Sequence, residues 1–154
     1  MKAGMTIVVL LALEPSAGAR QKPFGPLETV TVCMGTPVAT APLAQLIASH
    51  IFAEIGIGIH WSGVANCPPD AIVVALRTAT DQSFHPGALG YALPYGGVHL
   101  CIFYDRILAY GDDRASMLMA HVLVHEITHL LQGIARHSDE GIMKARWSLS
   151  LIHI

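Results

Sequence analysis

Apolar and polar residues alternate along residues 27–33 (LETVTVC), the two-residue period of a strand with one buried face. The period then changes. Leu43, Leu46, Ile47, Ile51 and Ile55 recur at helical spacing behind Thr40, a residue type that caps helix starts, with Pro42 tolerated in the first turn and Gly56 at the end. Residues 57–61 read as a short second strand, and residues 71–78 (AIVVALRT) as a continuous apolar run of the kind buried in a sheet. Glycines and prolines punctuate residues 81–97, after which residues 98–104 (VHLCIFY) form another strand. A last helix is expected from Arg114 to Gln132, capped by Asp112 or Asp113 and closed by Gly133. The order of strand, helix, strands and helix predicts an α/β (α+β) single domain. One twisted mixed sheet of about four to five strands would pack with two main helices, and only a very short C-terminal part would follow.

The last helix carries the chemistry. Residues 125–143 read HEITHLLQGIARHSDEGIM. On a helix His125 and His129 stand one turn apart on one face, about 5 to 6 Å between Cβ atoms, which suits two nitrogens converging on one Zn²⁺. Two ligands are too few, so the chain must return a third. Gly133 permits the helix to stop and reverse, and His137 follows in the returning segment, with Asp139 and Glu140 close enough in the same loop to replace it. Glu126 is poorly aimed as a ligand on that face but well placed to act as general base on a water that the zinc makes acidic. Val122, Leu123, Val124, Ile127, Leu130 and Leu131 make the surrounding helix apolar almost all round, and polar groups in such an element need partners. His121 extends the stripe by one more turn. Three successive turns cannot all reach one tetrahedral ion, so His121 is expected to be a hydrogen-bonding neighbour of the site.

These residues resemble the metzincins, zinc endopeptidases whose signature is H-E-x-x-H-x-x-G-x-x-H followed by a methionine-containing turn. Here the glycine and third histidine come one and two residues later than in that pattern. The resemblance extends from the preceding strand to the end of the chain and is shared with small secreted bacterial proteins of metzincin type. It implies that His137 is the third ligand, that Met143 forms the Met-turn beneath the metal, and that the chain has the upper half of the metzincin fold.

The N-terminus adds a compartment. Lys2, an apolar run from Met5 to Leu13 and the Ala17-Gly18-Ala19 site read as a secretory signal peptide over residues 1–19, with the metallopeptidase domain in residues 20–154. That run is shorter than the roughly 20 residues a membrane span needs, so no stable membrane anchor is expected. Charged residues are 13% of the chain against about 25% in ordinary soluble proteins, and the apolar share of 53% points to an interior-heavy small enzyme or an apolar face that meets a partner. A net charge of −2 without a Lys or Arg cluster excludes the usual footprint of nucleic-acid binding. Three cysteines, Cys33, Cys67 and Cys101, allow at most one intramolecular disulfide, and the pairing is open.

The expected function is a secreted zinc-dependent metallopeptidase acting on a peptide or protein substrate. The alternative is a catalytically weak zinc-binding extracellular interaction module. Residues 87–97 (GALGYALPYGG) are a candidate sheet edge for an extended peptide, and Tyr91, Tyr95 and Tyr104 are candidates for oxyanion stabilisation.

Overall fold

The structure is a computed structural model that describes residues 28–147. The proposed signal peptide and residues 148–154 lie outside the described residues. In chain order the elements are β1 (Glu28–Met34), α1 (Ala41–Glu54), β2 (Ile57–Ser62), a single 3-10 turn (Val64–Asn66), β3 (Ile72–Arg77), β4 (Gly90–Ala92), β5 (His99–Phe103), α2 (Tyr104–Leu108) and α3 (Asp112–Gln132). The strands form one five-stranded sheet in the order β2-β1-β3-β5-β4. β1 runs parallel to β2 and β3, and β3 parallel to β5, while β4 returns antiparallel to β5 and, among the described residues, has no strand on its outer edge. The expected mixed α/β architecture is thus present, with α2 as a third, short helix.

The two-residue period of the strands decides which side chains meet the helices. Val30 and Val32, Ile72 and Val74, and Leu100 and Ile102 share one face, and they form a single core with residues of α1 and α3. Phe52, Leu123 and Ile127 are fully buried in it. The face of α1 differs from expectation. Leu43, Leu46 and Ile55 are 52, 67 and 70% exposed, whereas Ala41, Ala44, Ala48 and Phe52 turn inward. The reason is steric: α1 packs beside α3 across small residues, including Ala115 and Ala120, and alanines allow that close approach where leucines would hold the helices apart. Thr40 also differs. Its backbone is already helical and its hydroxyl makes no cap, donating instead to the Tyr104 hydroxyl at 3.2 Å.

Loops cover the other face of the sheet. Cys33, fully buried on β1, is disulfide-bonded to Cys67 in the loop after the 3-10 turn. Phe84 stacks on Tyr91 at 5.5 Å and tilts against Phe103 at 4.8 Å, above the buried free thiol of Cys101. Arg106 pins this loop, donating to the carbonyls of His85 and Ala88, both at 2.8 Å.

The Cys33–Cys67 bond closes a segment of 34 residues that includes α1 and β2. Closing a loop of that length removes unfolded-state entropy worth about 3 to 4 kcal/mol. Replacing both cysteines by alanine should lower the unfolding free energy in urea by about that amount, with the far-ultraviolet circular dichroism of the native state unchanged.

Candidate metal centre

α3 places the first two histidines. Its start is not capped by an aspartate side chain: Gly111, at φ 102°, is the N-cap, and Asp112 and Asp113 occupy the first turn, where their charge faces the positive end of the helix. Further along, the helix passes through the core so completely that His125, Glu126 and His129 are only 7, 7 and 5% exposed. Gly133 ends it in the left-handed conformation, φ 62° and ψ 28°. The Ile134 N–H reaches the His129 carbonyl and the Gly133 N–H the Leu130 carbonyl, both at 3.3 Å, which is the Schellman arrangement.

That reversal orients the imidazoles. The Ile134 carbonyl accepts from His129 Nδ1 at 2.8 Å. A second turn, closed by the Lys144 N–H on the Gly141 carbonyl at 3.2 Å and by the Ser138 N–H on the Met143 carbonyl at 2.9 Å, holds the Ile142 carbonyl 2.8 Å from His125 Nδ1. A carbonyl can only accept, so both Nδ1 atoms carry a hydrogen, and in the neutral imidazoles both Nε2 atoms present a lone pair. Those lone pairs converge. His129 Nε2 lies 3.1 Å from His125 Nε2 and 3.3 Å from His137 Nε2. Three nitrogens each about 2.0 to 2.1 Å from one tetrahedral ion would stand about 3.3 Å apart. Two lone pairs facing each other repel unless a cation or proton lies between them. Burial pushes His125 down to about 4, with the neighbouring His129 and His137 adding to the shift against the opposing Ile142 hydrogen bond, so a proton is disfavoured there. His137 is likewise lowered by burial and then by His129. His125, His129 and His137 therefore lie together as a group that could bind a metal ion.

The rest of the motif can be placed around this group. Asp139 and Glu140 are exposed in the loop, outside the group of converging ligand atoms. His121 is half-buried, bonds through Nδ1 to the Met117 carbonyl at 2.8 Å, and stands apart from the three. Met143 belongs to the turn below His125, although the atom of that turn that touches an imidazole is the Ile142 carbonyl. Trp147 presses its ring against His125, with centroids 5.3 Å apart and planes at 80°.

Glu126 faces a cleft of 610 Å³ that His125 and His137 also line. Burial pushes its carboxyl up to about 7, partly offset by a hydrogen bond from the Ala92 backbone N–H on β4. The strand can come this close because Gly90 has no side chain. A Cβ there would lie 2.8 Å from the Cys101 carbonyl oxygen and 3.3 Å from Glu126 Oε1. Residues 87–97 thus do contain the sheet edge, as the sequence suggested, and that edge is β4.

The tyrosine expectation changes. Tyr91 packs among Phe84 and Phe103, Tyr104 is buried against Thr40, and Tyr95 is 80% exposed. None of them lines the cleft, whereas Tyr110, in the loop between α2 and α3, does. Its position depends on how that loop packs, and no periodicity in the sequence marks it.

Comparisons with protein-family models, with curated proteins and with solved structures find no match.

Two measurements test this geometry. In a metal titration of the full chain, His129→Ala and His137→Ala should each weaken binding by more than the roughly 10- to 100-fold typical of losing an outer-shell partner, with Asp139→Ala and Glu140→Ala unchanged. For pH, the raised pKa of Glu126 means that the metal-free folded state keeps a proton which the unfolded chain releases above about 4.5. Relative to Glu126→Gln, wild-type stability in chelator should therefore be greatest below pH 4.5 and decline as pH rises to about 7, read by urea denaturation at each pH.

Proposed function

We propose that this chain is a zinc-dependent metallopeptidase of metzincin type, exported from the cell that makes it. The observation that carries the proposal is the convergence of three imidazole Nε2 atoms beside a buried glutamate, in an open cleft next to a free sheet edge. Three imidazole ligands with the fourth direction open toward substrate are the donor set of catalytic rather than structural zinc. The Cys33–Cys67 disulfide supports an oxidising compartment.

When bound, zinc supplies Lewis acidity that polarises the scissile carbonyl and makes water acidic near neutral pH. Glu126 takes a proton from the attacking water as its oxygen bonds to the carbonyl carbon. As the C–N bond breaks, Glu126 returns that proton to the departing amine. The Ala92 N–H holds the carboxylate in place, and the Ile134 and Ile142 carbonyls fix the ring orientations and the Nδ1–H tautomers, so that each neutral imidazole turns its Nε2 toward the site. An extended peptide would add to the free edge of β4, which lies directly beside Glu126.

Glu126→Gln should retain one zinc per chain, measured by elemental analysis, and lose hydrolysis of a mixed fluorogenic peptide library by at least about 10²-fold. His129→Ala should lose both. Zinc binding with unchanged hydrolysis in Glu126→Gln would overturn the mechanism. Zinc binding without hydrolysis in the wild type would favour an extracellular zinc-binding interaction module.

A further inference from the structure

The cleft beside Glu126 has two walls of different chemistry. One is apolar and rigid. Val122 and Leu118, one and two turns before Glu126 on α3, line it together with Leu89, in a loop that Arg106 ties down through the His85 and Ala88 carbonyls. The other wall is residues 144–147. This segment is anchored at both ends, by the Lys144 N–H on the Gly141 carbonyl and by the Trp147 ring on His125. It brings two cations, Lys144 and Arg146, to the cleft. Neither takes part in an ion pair among the described residues, and Glu126 is the cleft's one acidic lining residue. At 610 Å³ the cleft lies within the roughly 300 to 1,000 Å³ range of ligand sites, ample for a large side chain.

Charge complementarity decides what fits. An apolar side chain against Leu118 and Val122 removes hydrocarbon from water, while a carboxylate beside it meets two unpaired cations that a neutral or basic ligand would leave unanswered. A guanidinium is also suited to grip a carboxylate through two parallel hydrogen bonds. We infer that the cleft selects peptides that place an apolar residue against Leu118 and Val122 and a carboxylate against Lys144 and Arg146. This rests on the peptidase reading of the same site. The carboxylate has two sources, an acidic side chain next to the apolar residue or the free C-terminus of the peptide.

The test separates these sources and also separates binding from catalysis. Zinc-loaded Glu126→Gln protein is titrated by fluorescence anisotropy with labelled peptides that share one sequence around a leucine. In one peptide glutamate follows the leucine, in a second the leucine is C-terminal and free, and in a third glutamine follows and the end is amidated. At least one carboxylate peptide should bind about tenfold or more tightly than the amide, corresponding to about 1.4 kcal/mol, and the advantage should shrink as salt rises. Which peptide gains identifies the source. In Lys144→Glu/Arg146→Glu the advantage should vanish, with bound zinc and the thermal midpoint unchanged. Equal affinity across the three peptides, or an advantage that survives the double charge reversal, would overturn the inference. Because binding is read in a variant lacking the general base, failure of wild-type chain to hydrolyse any of these peptides would count against the peptidase reading and leave the carboxylate preference standing.

Discussion

Two backbone carbonyls, those of Ile134 and Ile142, accept the Nδ1 hydrogens of His129 and His125, and the candidate metal centre depends on them. Without these acceptors each imidazole could turn or swap tautomers, and its outward nitrogen could carry a proton instead of a lone pair. With them, electron pairs are concentrated at one point inside an apolar helix, an arrangement that is unfavourable by itself and favourable around a cation. The loop serves this purpose. Gly133 reverses the chain, Gly141 at φ 72° tightens the next turn, and the segment between them returns both a carbonyl and the imidazole of His137. The spacing between Gly133 and His137 departs from the metzincin pattern by a single residue, yet the ring nitrogens still converge, because the loop is held by its own hydrogen bonds.

The sheet supplies the complementary part. β4 opposes its neighbour's direction and lies at the edge, so among the described residues no strand pairs with its outer side, while the strand also touches α3. Contact between strand and helix at Gly90 is tight enough to bring the Ala92 N–H to Glu126. One short strand thereby both steadies the glutamate and offers a track for an extended ligand. At three residues β4 also offers little to pair with another molecule, as a longer, flatter edge would.

Much of this was legible in the chain. Apolar patterning located β1, α1, β2, β3, β5 and α3, because strands and core helices must repeat or run together their apolar residues, whereas the three-residue β4 and the short α2 are too brief to show a period. The string from His125 to His137 announced the imidazole cluster, since its residue types have few other uses within an apolar helix. What escaped was set by tertiary packing. α1 is apolar on several sides, so periodicity favoured Leu43 and Leu46, whereas contact with α3 selected Ala44 and Ala48. Helix starts were misread because Thr40 found a partner in Tyr104, 64 residues away, and Gly111 took the N-cap position. Tyr110 and the carbonyls of Ile134 and Ile142 were invisible for a different reason: loop conformation places them, and a backbone carbonyl has no signature in sequence.

The sheet also settles which cysteines can meet. Cys33 and Cys101 lie on the same face of β1 and β5, with β3 between them and Cys101 two residues further along, so their backbones stand more than two strand spacings apart, beyond about 9.5 Å. A disulfide reaches at most about 7 Å between Cα atoms. Three thiols allow three pairings, yet the assembled sheet forbids Cys33–Cys101, and Cys101 is buried on the face of the sheet that carries the Phe84–Tyr91 stack. Strand order thus discriminates among thiols: by standing between β1 and β5, β3 keeps the two strand cysteines out of each other's reach and leaves Cys33 to its partner in the loop.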